Sequence, residues 1–280
     1  MAKLMIFGLG YSASAYLAVR GASGGTVDVT RRTADGSANL VFDGTSASPA
    51  VREALIRADQ LLVSIPPQGD MDPVMTHLAA DLKARPRKIV YLSTIGVYGN
   101  YDGAWIDESA EPRPANARTK ARVQAEQAWL ALAQHGSDVS VLRLSGIYGP
   151  GRNVLEKLKS GKARRIILPN QVFNRIHVDD IAQAITAAFA APHGLGMINV
   201  TDNEPAPPQD VISFAADLLG FTLPPEQDFT TAALSEMARS FYGESKRVSN
   251  RRLRELIGVE LRYPTFREGL RALAASMLQG

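Results

Sequence analysis

A strand-length apolar run, Leu4-Met5-Ile6-Phe7, is followed at once by Gly8-Leu9-Gly10-Tyr11-Ser12-Ala13, which opens an Ala-rich helical segment reaching Arg20. This order of strand, G-x-G-x-x-A turn and helix constrains the fold more than any other feature of the chain. Gly8 permits the tight turn. Gly10 removes the Cβ that would hold backbone away from a diphosphate. Ala13 is small enough for helix and strand to pack closely. The amides of Tyr11 and Ser12 and the helix dipole favour a dianion at this end. An ordinary glycine turn looks the same in isolation; its place after a first strand makes a dinucleotide site the expectation.

The rest of the first half alternates between two periods. Strand-length apolar runs recur at Thr26–Thr30, Leu40–Phe42, Leu61–Ile65, Ile89–Ser93 and Val139–Leu144. Helix-length amphipathic segments lie between them at Pro49–Arg57, Pro73–Ala84 and Ala117–Gln134, the last stopped by Gly136. Strand–helix–strand alternation means parallel strands with helices on both faces. The expected class is therefore α/β, a Rossmann-type doubly wound parallel sheet with a smaller mixed C-terminal substrate domain.

Beyond Pro150 the texture changes to short helices and Pro-rich loops, Pro205-Ala206-Pro207-Pro208 and Pro224-Pro225, before helical patterns return at Arg251–Ile257 and Pro264–Leu278. We expect a dinucleotide-binding domain over 1–150 and a mainly substrate-binding domain over 151–280. Residues 176–200 are expected to return to the first, with Val172–Ile176 and Met197–Val200 as the candidate strands.

Composition removes several classes. The 280 residues, 45% hydrophobic and 21% charged, suffice for a large core. With no Cys there is no disulfide, zinc–thiolate site or Cys nucleophile. The four His pair with no carboxylate at ligand spacing, so no metal is expected. A net charge of +3 gives no reason to expect nucleic acid. No stretch approaches the ~20 apolar residues of a membrane helix, so a soluble, cytoplasmic protein with no membrane partner is expected.

The second strand ends on Arg31-Arg32, where an NAD site would place Asp or Glu for the ribose hydroxyls. Arginine there suits a 2′-phosphate. NADP(H) is therefore preferred, with NAD(H) as the alternative and a solvated strand-end pair as the bland reading. Asp43, after the third strand, would meet the adenine side. Ser64 and Pro66, after the fourth, would line the cofactor's middle.

Four ordered motifs carry a family resemblance. They are Tyr91-Leu92-Ser93-Thr94-Ile95-Gly96-Val97-Tyr98-Gly99, Leu142-Arg143-Leu144-Ser145-Gly146-Ile147-Tyr148-Gly149-Pro150-Gly151-Arg152, Arg175-Ile176-His177-Val178-Asp179-Asp180-Ile181-Ala182, and Asn199-Val200 with Thr201-Asp202. Together they resemble the extended short-chain dehydrogenase/reductases, the NAD(P)-dependent epimerase/dehydratase-like group, in an atypical form. The resemblance implies a hydride exchanged with nicotinamide while a Tyr, a Lys four residues on and a Ser/Thr handle the proton and the substrate oxygen. Thr94 matches the Ser/Thr. Ser93 and Gly146 fall where family motifs border the cofactor.

The Tyr and Lys are missing. Anchored on Ala125-Glu126, Arg118 takes the Tyr position and Arg122 the Lys position; anchored on Lys120, Asn116 takes the Tyr position. Arginine stays protonated, so it can hold an anion or oppose an oxyanion but cannot shuttle a proton. Ile95-Gly96 after Thr94 also departs from the Asp-Glu of the family's dehydratases. Tyr98 or Tyr148 could replace the phenol, though ordinary members carry such residues beside an intact catalytic Tyr. Tyr148, Asn153 and Arg175 are the expected substrate side. His177 reads as structural, Asp179 as a helix N-cap, and Ser245–Arg252 as a basic run that either binds an anion or lies on the surface. The implied function is an NAD(P)-binding oxidoreductase or epimerase acting on a small or nucleotide-linked carbonyl or hydroxyl compound. Its rivals are a non-catalytic NAD(P)(H) sensor and an interaction protein on a relic fold. A homodimer through 117–134 is implied by the family alone.

Overall fold

A computed structural model describes residues 2–21, 25–34 and 36–279. In chain order the elements are β1 (Leu4–Phe7), α1 (Tyr11–Arg20), β2 (Val27–Arg31), β3 (Leu40–Val41), α2 (Pro49–Arg57), β4 (Gln60–Val63), α3 (Pro73–Ala84), β5 (Lys88–Thr94) and β6 (Trp105–Ile106). Then come α4 (Ala117–Leu130), β7 (Asp138–Leu144), β8 (Gly146–Tyr148), α5 (Val154–Lys159), β9 (Arg165–Ile167), β10 (Arg175–His177), α6 (Val178–Ala190) and β11 (Gly196–Val200). The chain ends with α7 (Pro208–Leu219), β12 (Glu226–Asp228), α8 (Glu236–Tyr242), β13 (Arg247–Val248), α9 (Arg251–Glu255) and α10 (Phe266–Gln279).

Seven strands form one parallel sheet in the order β11-β7-β5-β4-β1-β2-β3. Strand residues alternate between two buried layers. Leu4, Ile6, Leu62, Val90, Leu92 and Leu142 face α1 and α6 with Ala13, Tyr16, Ile181 and Ile185. Met5, Phe7, Leu61, Ile89, Tyr91 and Val141 face α2, α3 and α4 with Val51, Leu55, Leu78 and Trp129. Because both faces are covered, β1 and β4 read as nearly continuous apolar runs, while β7 carries the buried polar Ser140 and Arg143. The helix starts are encoded locally. Ser48 caps α2 and Asp72 caps α3, each followed by Pro in the first turn, and Asn116 forms a capping box with Thr119 on α4.

The returning strands divide. Met197–Val200 lies in β11 and extends the sheet beside β7. The Val172–Ile176 segment does not join it: β10 starts at Arg175 and pairs with β8 in a separate two-stranded ladder. A third apolar cluster, with Leu155, Ala215, Phe266, Leu270 and Tyr148, holds α5, α7 and α10 together. The basic run near residue 245 is an internal strap. Lys246 is buried, donating Nζ to the Gly99 carbonyl and pairing with Glu244 at 2.7 Å, and Val248 N donates to Asn174 Oδ1. Burial lowers the Lys246 pKa while Glu244 opposes the shift. Among the described residues no helix is long and apolar enough to cross a membrane.

Candidate functional site

Sheet order reverses between β1 and β4, which carry the chain to opposite sides, and ligands of open α/β sheets bind at the carboxyl ends of strands beside such a switch. The glycine turn lies there. Gly8 N donates to Thr30 Oγ1 (3.1 Å), Leu9 N to the Thr30 carbonyl (3.1 Å) and Ser64 N to the Phe7 carbonyl (2.9 Å), so the turn is seated between the ends of β2 and β4. Gly8 has φ +91°, and a Cβ there would lie 2.4 Å from Ile65 Cγ2. Only glycine fits. A Cβ on Gly10 would meet nothing nearer than Ser64 Oγ at 3.8 Å. Gly10 is the N-cap of α1 yet supplies no side-chain cap, and the first turn of α1 has no acidic residue. The helix start is thus left with bare amides facing open space, a fit for a dinucleotide diphosphate. Ser12 and Ala13 are buried against the sheet beneath.

Around the turn, Arg31 closes β2 half-buried and Arg32 follows it exposed. Asp43 is exposed, and its carboxylate accepts from Thr45 N and Oγ1, both at 2.8 Å. Those bonds hold its pKa below the usual carboxylate value. Pro66 is exposed and Ser64 half-buried along the rim. Tyr11 donates its hydroxyl to the Pro150 carbonyl at 2.9 Å, tying the start of α1 to the loop after β8.

The side expected to carry the chemistry is built differently. Thr94 ends β5, half-buried, and its Oγ1 accepts from Gly96 N at 3.1 Å. Ser93, taken as a cofactor contact, is instead buried and donates to Glu126 Oε1 at 2.5 Å. Glu126 is held by the buried Arg143, with Nη2 to Oε2 at 2.6 Å. Arg143 lies 4.7 Å from the centroid of Tyr98. Tyr98 is fully buried, its hydroxyl donating to Asn199 Oδ1 at 2.8 Å, and burial raises its pKa. It cannot reach a ligand, so it does not supply the missing phenol.

On α4, Asn116 is the helix cap, its Oδ1 accepting from Thr119 N, which removes the register that placed it at the Tyr position. Arg122 donates Nη1 to Tyr91 Oη (2.9 Å) and to the Leu92 carbonyl (3.0 Å), at the end of β5. Arg118 is exposed, its guanidinium 5.5 Å from the ring centroid of Phe241 on α8.

The expected substrate residues are also largely committed. Asn153 is buried; its Oδ1 caps α5 through Glu156 N and its Nδ2 donates to the Gly149 carbonyl. Arg175 donates Nη1 to the carbonyls of Phe173 (2.9 Å) and Ala206 (3.1 Å). Gly146 lies in β8 opposite Arg175, its N–H donating to Asn174 O. Tyr148 packs into the C-terminal cluster, and burial raises its pKa strongly. His177, not Asp179, is the N-cap of α6, Nδ1 accepting from Asp179 N at 3.2 Å. Burial lowers its pKa to about 4. Tyr148 Oη, His177 Nε2 and Asp202 Oδ2 are buried without a hydrogen-bond partner among the described residues. Burial pushes Asp202 up to about 8 and Asp180 up to about 6. No three His, Asp or Glu among the described residues stand together to hold a metal ion. Linear spacing carries no signal for Phe241 beside Arg118, or for Lys246 as a buried group.

A sequence profile described as the NAD dependent epimerase/dehydratase family matches residues 73–200. A solved structure from Silicibacter pomeroyi DSS, described as a functionally unknown conserved protein, is 43% identical, covers 99% of both chains and superposes with a TM-score of 0.87. Residues 73–200, a little under half of the chain, thus belong to the NAD-dependent epimerase/dehydratase family by sequence. A further relative is Protein YeeZ of Escherichia coli strain K12, 27% identical over 94% of this chain and 97% of its own length. Human epimerase family protein SDR39U1, solved with NADPH, shares the fold at a TM-score of 0.75 and 17% identity over 98% of this chain and 99% of its own. The matched stretch, 73–200, holds Thr94, the Ser93–Glu126–Arg143 relay and α4. Arg118 and Arg122 also lie inside this stretch.

Proposed function

We propose that this family member is an NAD(P)-dependent enzyme that binds NADP(H) in preference to NAD(H) and reduces or epimerises a small or nucleotide-linked carbonyl or hydroxyl substrate carrying an anionic group. One observation carries the reading: the uncapped amide end of α1, opened by Gly10 at the sheet's switch point. Gly8, Gly10, Tyr11 and Ser12 would hold the diphosphate, Asp43 the adenosine side, Ser64 and Pro66 the middle, and Arg31-Arg32 a 2′-phosphate. When bound, the nicotinamide supplies or accepts a hydride. Thr94 donates a hydrogen bond from its hydroxyl to the substrate oxygen, and Arg118 opposes the negative charge that develops on it. Arg122, fixed at the end of β5, takes the position of the family Lys. With no phenol at hand, the proton on the substrate oxygen exchanges with solvent at the open cleft. Residues 151–280 supply the remaining substrate contacts, and the family resemblance adds a homodimer through α4.

A second reading, a dinucleotide sensor without turnover, is favoured by the full burial of Tyr98 and the commitment of Asn153 and Arg175. Fluorescence titration with NADPH and NADH, followed by assay of NADPH oxidation against a panel of carbonyl compounds with and without a carboxylate or phosphate, separates the two. Tighter NADPH binding with turnover supports the enzyme. Binding with no oxidation of NADPH supports the sensor, and no binding of either nucleotide overturns both.

A further inference from the structure

The loop after β8 runs Gly149-Pro150-Gly151-Arg152. Pro at the second position and Gly at the third, with φ +70° at Gly151, is the chemistry of a type II turn. Its ends are paired twice: Gly149 N donates to the Arg152 carbonyl (3.0 Å) and Arg152 N to the Gly149 carbonyl (3.1 Å). Asn153 Nδ2 adds a third bond to the Gly149 carbonyl at 2.9 Å. The turn is therefore a stiff platform, and it rests on the first turn of α1. Tyr11 donates to Pro150 O, and a Cβ on Gly149 would lie 2.6 Å from the Tyr11 hydroxyl oxygen and 2.7 Å from Val178 Cγ1. This contact joins segments 139 residues apart.

Arg152 is the cation this platform presents. Its guanidinium carbon lies 5.7 Å from the centroid of the Tyr11 ring. Its charge bears on Tyr11, pulling the phenol pKa down against the larger upward effect of burial. The acidic group that also bears on Tyr11, Asp179, is engaged elsewhere, 3.5 Å from Arg262 Nη1 and 3.7 Å from His177 Nδ1. The first turn of α1, Tyr11-Ser12-Ala13-Ser14, has no basic side chain of its own. The helix end offers roughly half a unit of positive charge to a ligand bearing about two negative ones. Arg152, aligned by Tyr11, can supply the difference with a guanidinium suited to two phosphate oxygens.

We propose that Arg152 is a binding residue for the dinucleotide diphosphate, carried over the glycine turn by the Gly149–Arg152 turn and placed by Tyr11. The proposal rests on the dinucleotide reading above. The test is fluorescence titration of the full-length protein with NADPH and NADH for the parent and for Arg152→Ala, Arg152→Lys and Tyr11→Phe. Adenosine 2′-monophosphate, which lacks the diphosphate, serves as the displacing control. Arg152→Ala is expected to raise Kd for both dinucleotides about tenfold and to flatten the dependence of Kd on salt. It should leave the control ligand's Kd and the melting temperature unchanged, since the side chain is exposed. Arg152→Lys should recover part of the loss, and Tyr11→Phe should shift Kd in the same direction by less. Unchanged dinucleotide affinity in Arg152→Ala, or equal weakening of the control ligand, overturns the proposal. A parent protein that binds neither dinucleotide overturns the cofactor reading itself and this proposal with it; a parent that binds normally confines any failure to Arg152.

Discussion

The floor and the wall of the cleft meet a ligand in opposite ways. On the floor, the glycine turn offers backbone: amides of Gly10, Tyr11 and Ser12 with no cap and no acidic side chain at the helix start. On the wall, at the ends of β5, β7 and β11, the polar side chains are turned inward. Ser93, Glu126, Arg143, Tyr98 and Asn199 bond to one another, and Asn199 N donates to Glu108 Oε1 at 2.8 Å. A backbone site keeps its chemistry whatever the neighbouring side chains become. A side-chain site does not, because a buried donor or acceptor must find a partner. The difference explains how the bare amides of the glycine turn can stay open while the polar side chains of the wall are committed to one another.

The largest break expected is in the wall. Glu126→Ala leaves the buried Arg143 without its carboxylate, and removing one partner of such a pair costs about 3–5 kcal/mol. Urea unfolding should show this, while the molecules still folded bind NADPH as the parent does. A loss below about 1 kcal/mol would mean that the relay is not what holds the wall.

The wall's unpartnered corner gives the next effect. Asp202 has its folded pKa raised, to about 8, so its contribution to stability is full below pH 3.8 and is lost as pH rises toward 8. Asp180, raised to about 6, acts in the same sense up to pH 6. His177, lowered to about 4 from 6.5, acts in the opposite sense, stability growing as pH rises from 4 to 6.5. Above pH 6.5 only Asp202 of the three still titrates. The parent should therefore lose at most about 2 kcal/mol between pH 6.5 and 8, and Asp202→Asn should stay flat across that window. Denaturant midpoints at the two pH values decide it; identical losses in both proteins would exonerate Asp202.

Two smaller effects concern the rims. Changing Arg31 and Arg32 together to Ala should cut the preference for NADPH over NADH about tenfold with little change in NADH affinity, a single charge-assisted phosphate contact being worth about 1.5–3 kcal/mol. Equal affinities in the parent would remove the basis for the NADP(H) preference. Phe241→Ala should cost less than about 1 kcal/mol of stability, the scale of an exposed cation–π contact, and raise KM for an anionic substrate more than it lowers kcat.

Much of the floor was legible in the sequence because its determinants are local. A short apolar run, two glycines and a small residue at fixed spacing dictate turn, backbone approach and helix packing within one stretch of chain. The alternation of apolar runs and capped helices made the parallel sheet legible for the same reason, although α4 stops at Leu130 and Gly136, at φ +82°, closes the 3-10 turns that follow it. The wall was not legible. Tyr98 and Tyr148 look alike in sequence, each following an apolar strand and preceding glycine. One bonds Asn199 beside a small cluster of Val97, Ile106 and Val248, and the other packs against α10 with its hydroxyl unpartnered. Asn153 and Arg175 have substrate-like chemistry, yet each is spent on carbonyls or amides supplied by distant or looped backbone.

By itself, then, the sequence determined the doubly wound sheet, the bare-amide turn at its switch point and an α4 without a tyrosine, since each follows from residues close together along the chain. Only the tertiary structure decided that Val172–Ile176 stays out of the main sheet, that Lys246 is an internal strap, and that Ser93 and Tyr98 face inward. Those outcomes depend on which partner a polar group finds across the fold, and linear spacing carries no record of that pairing.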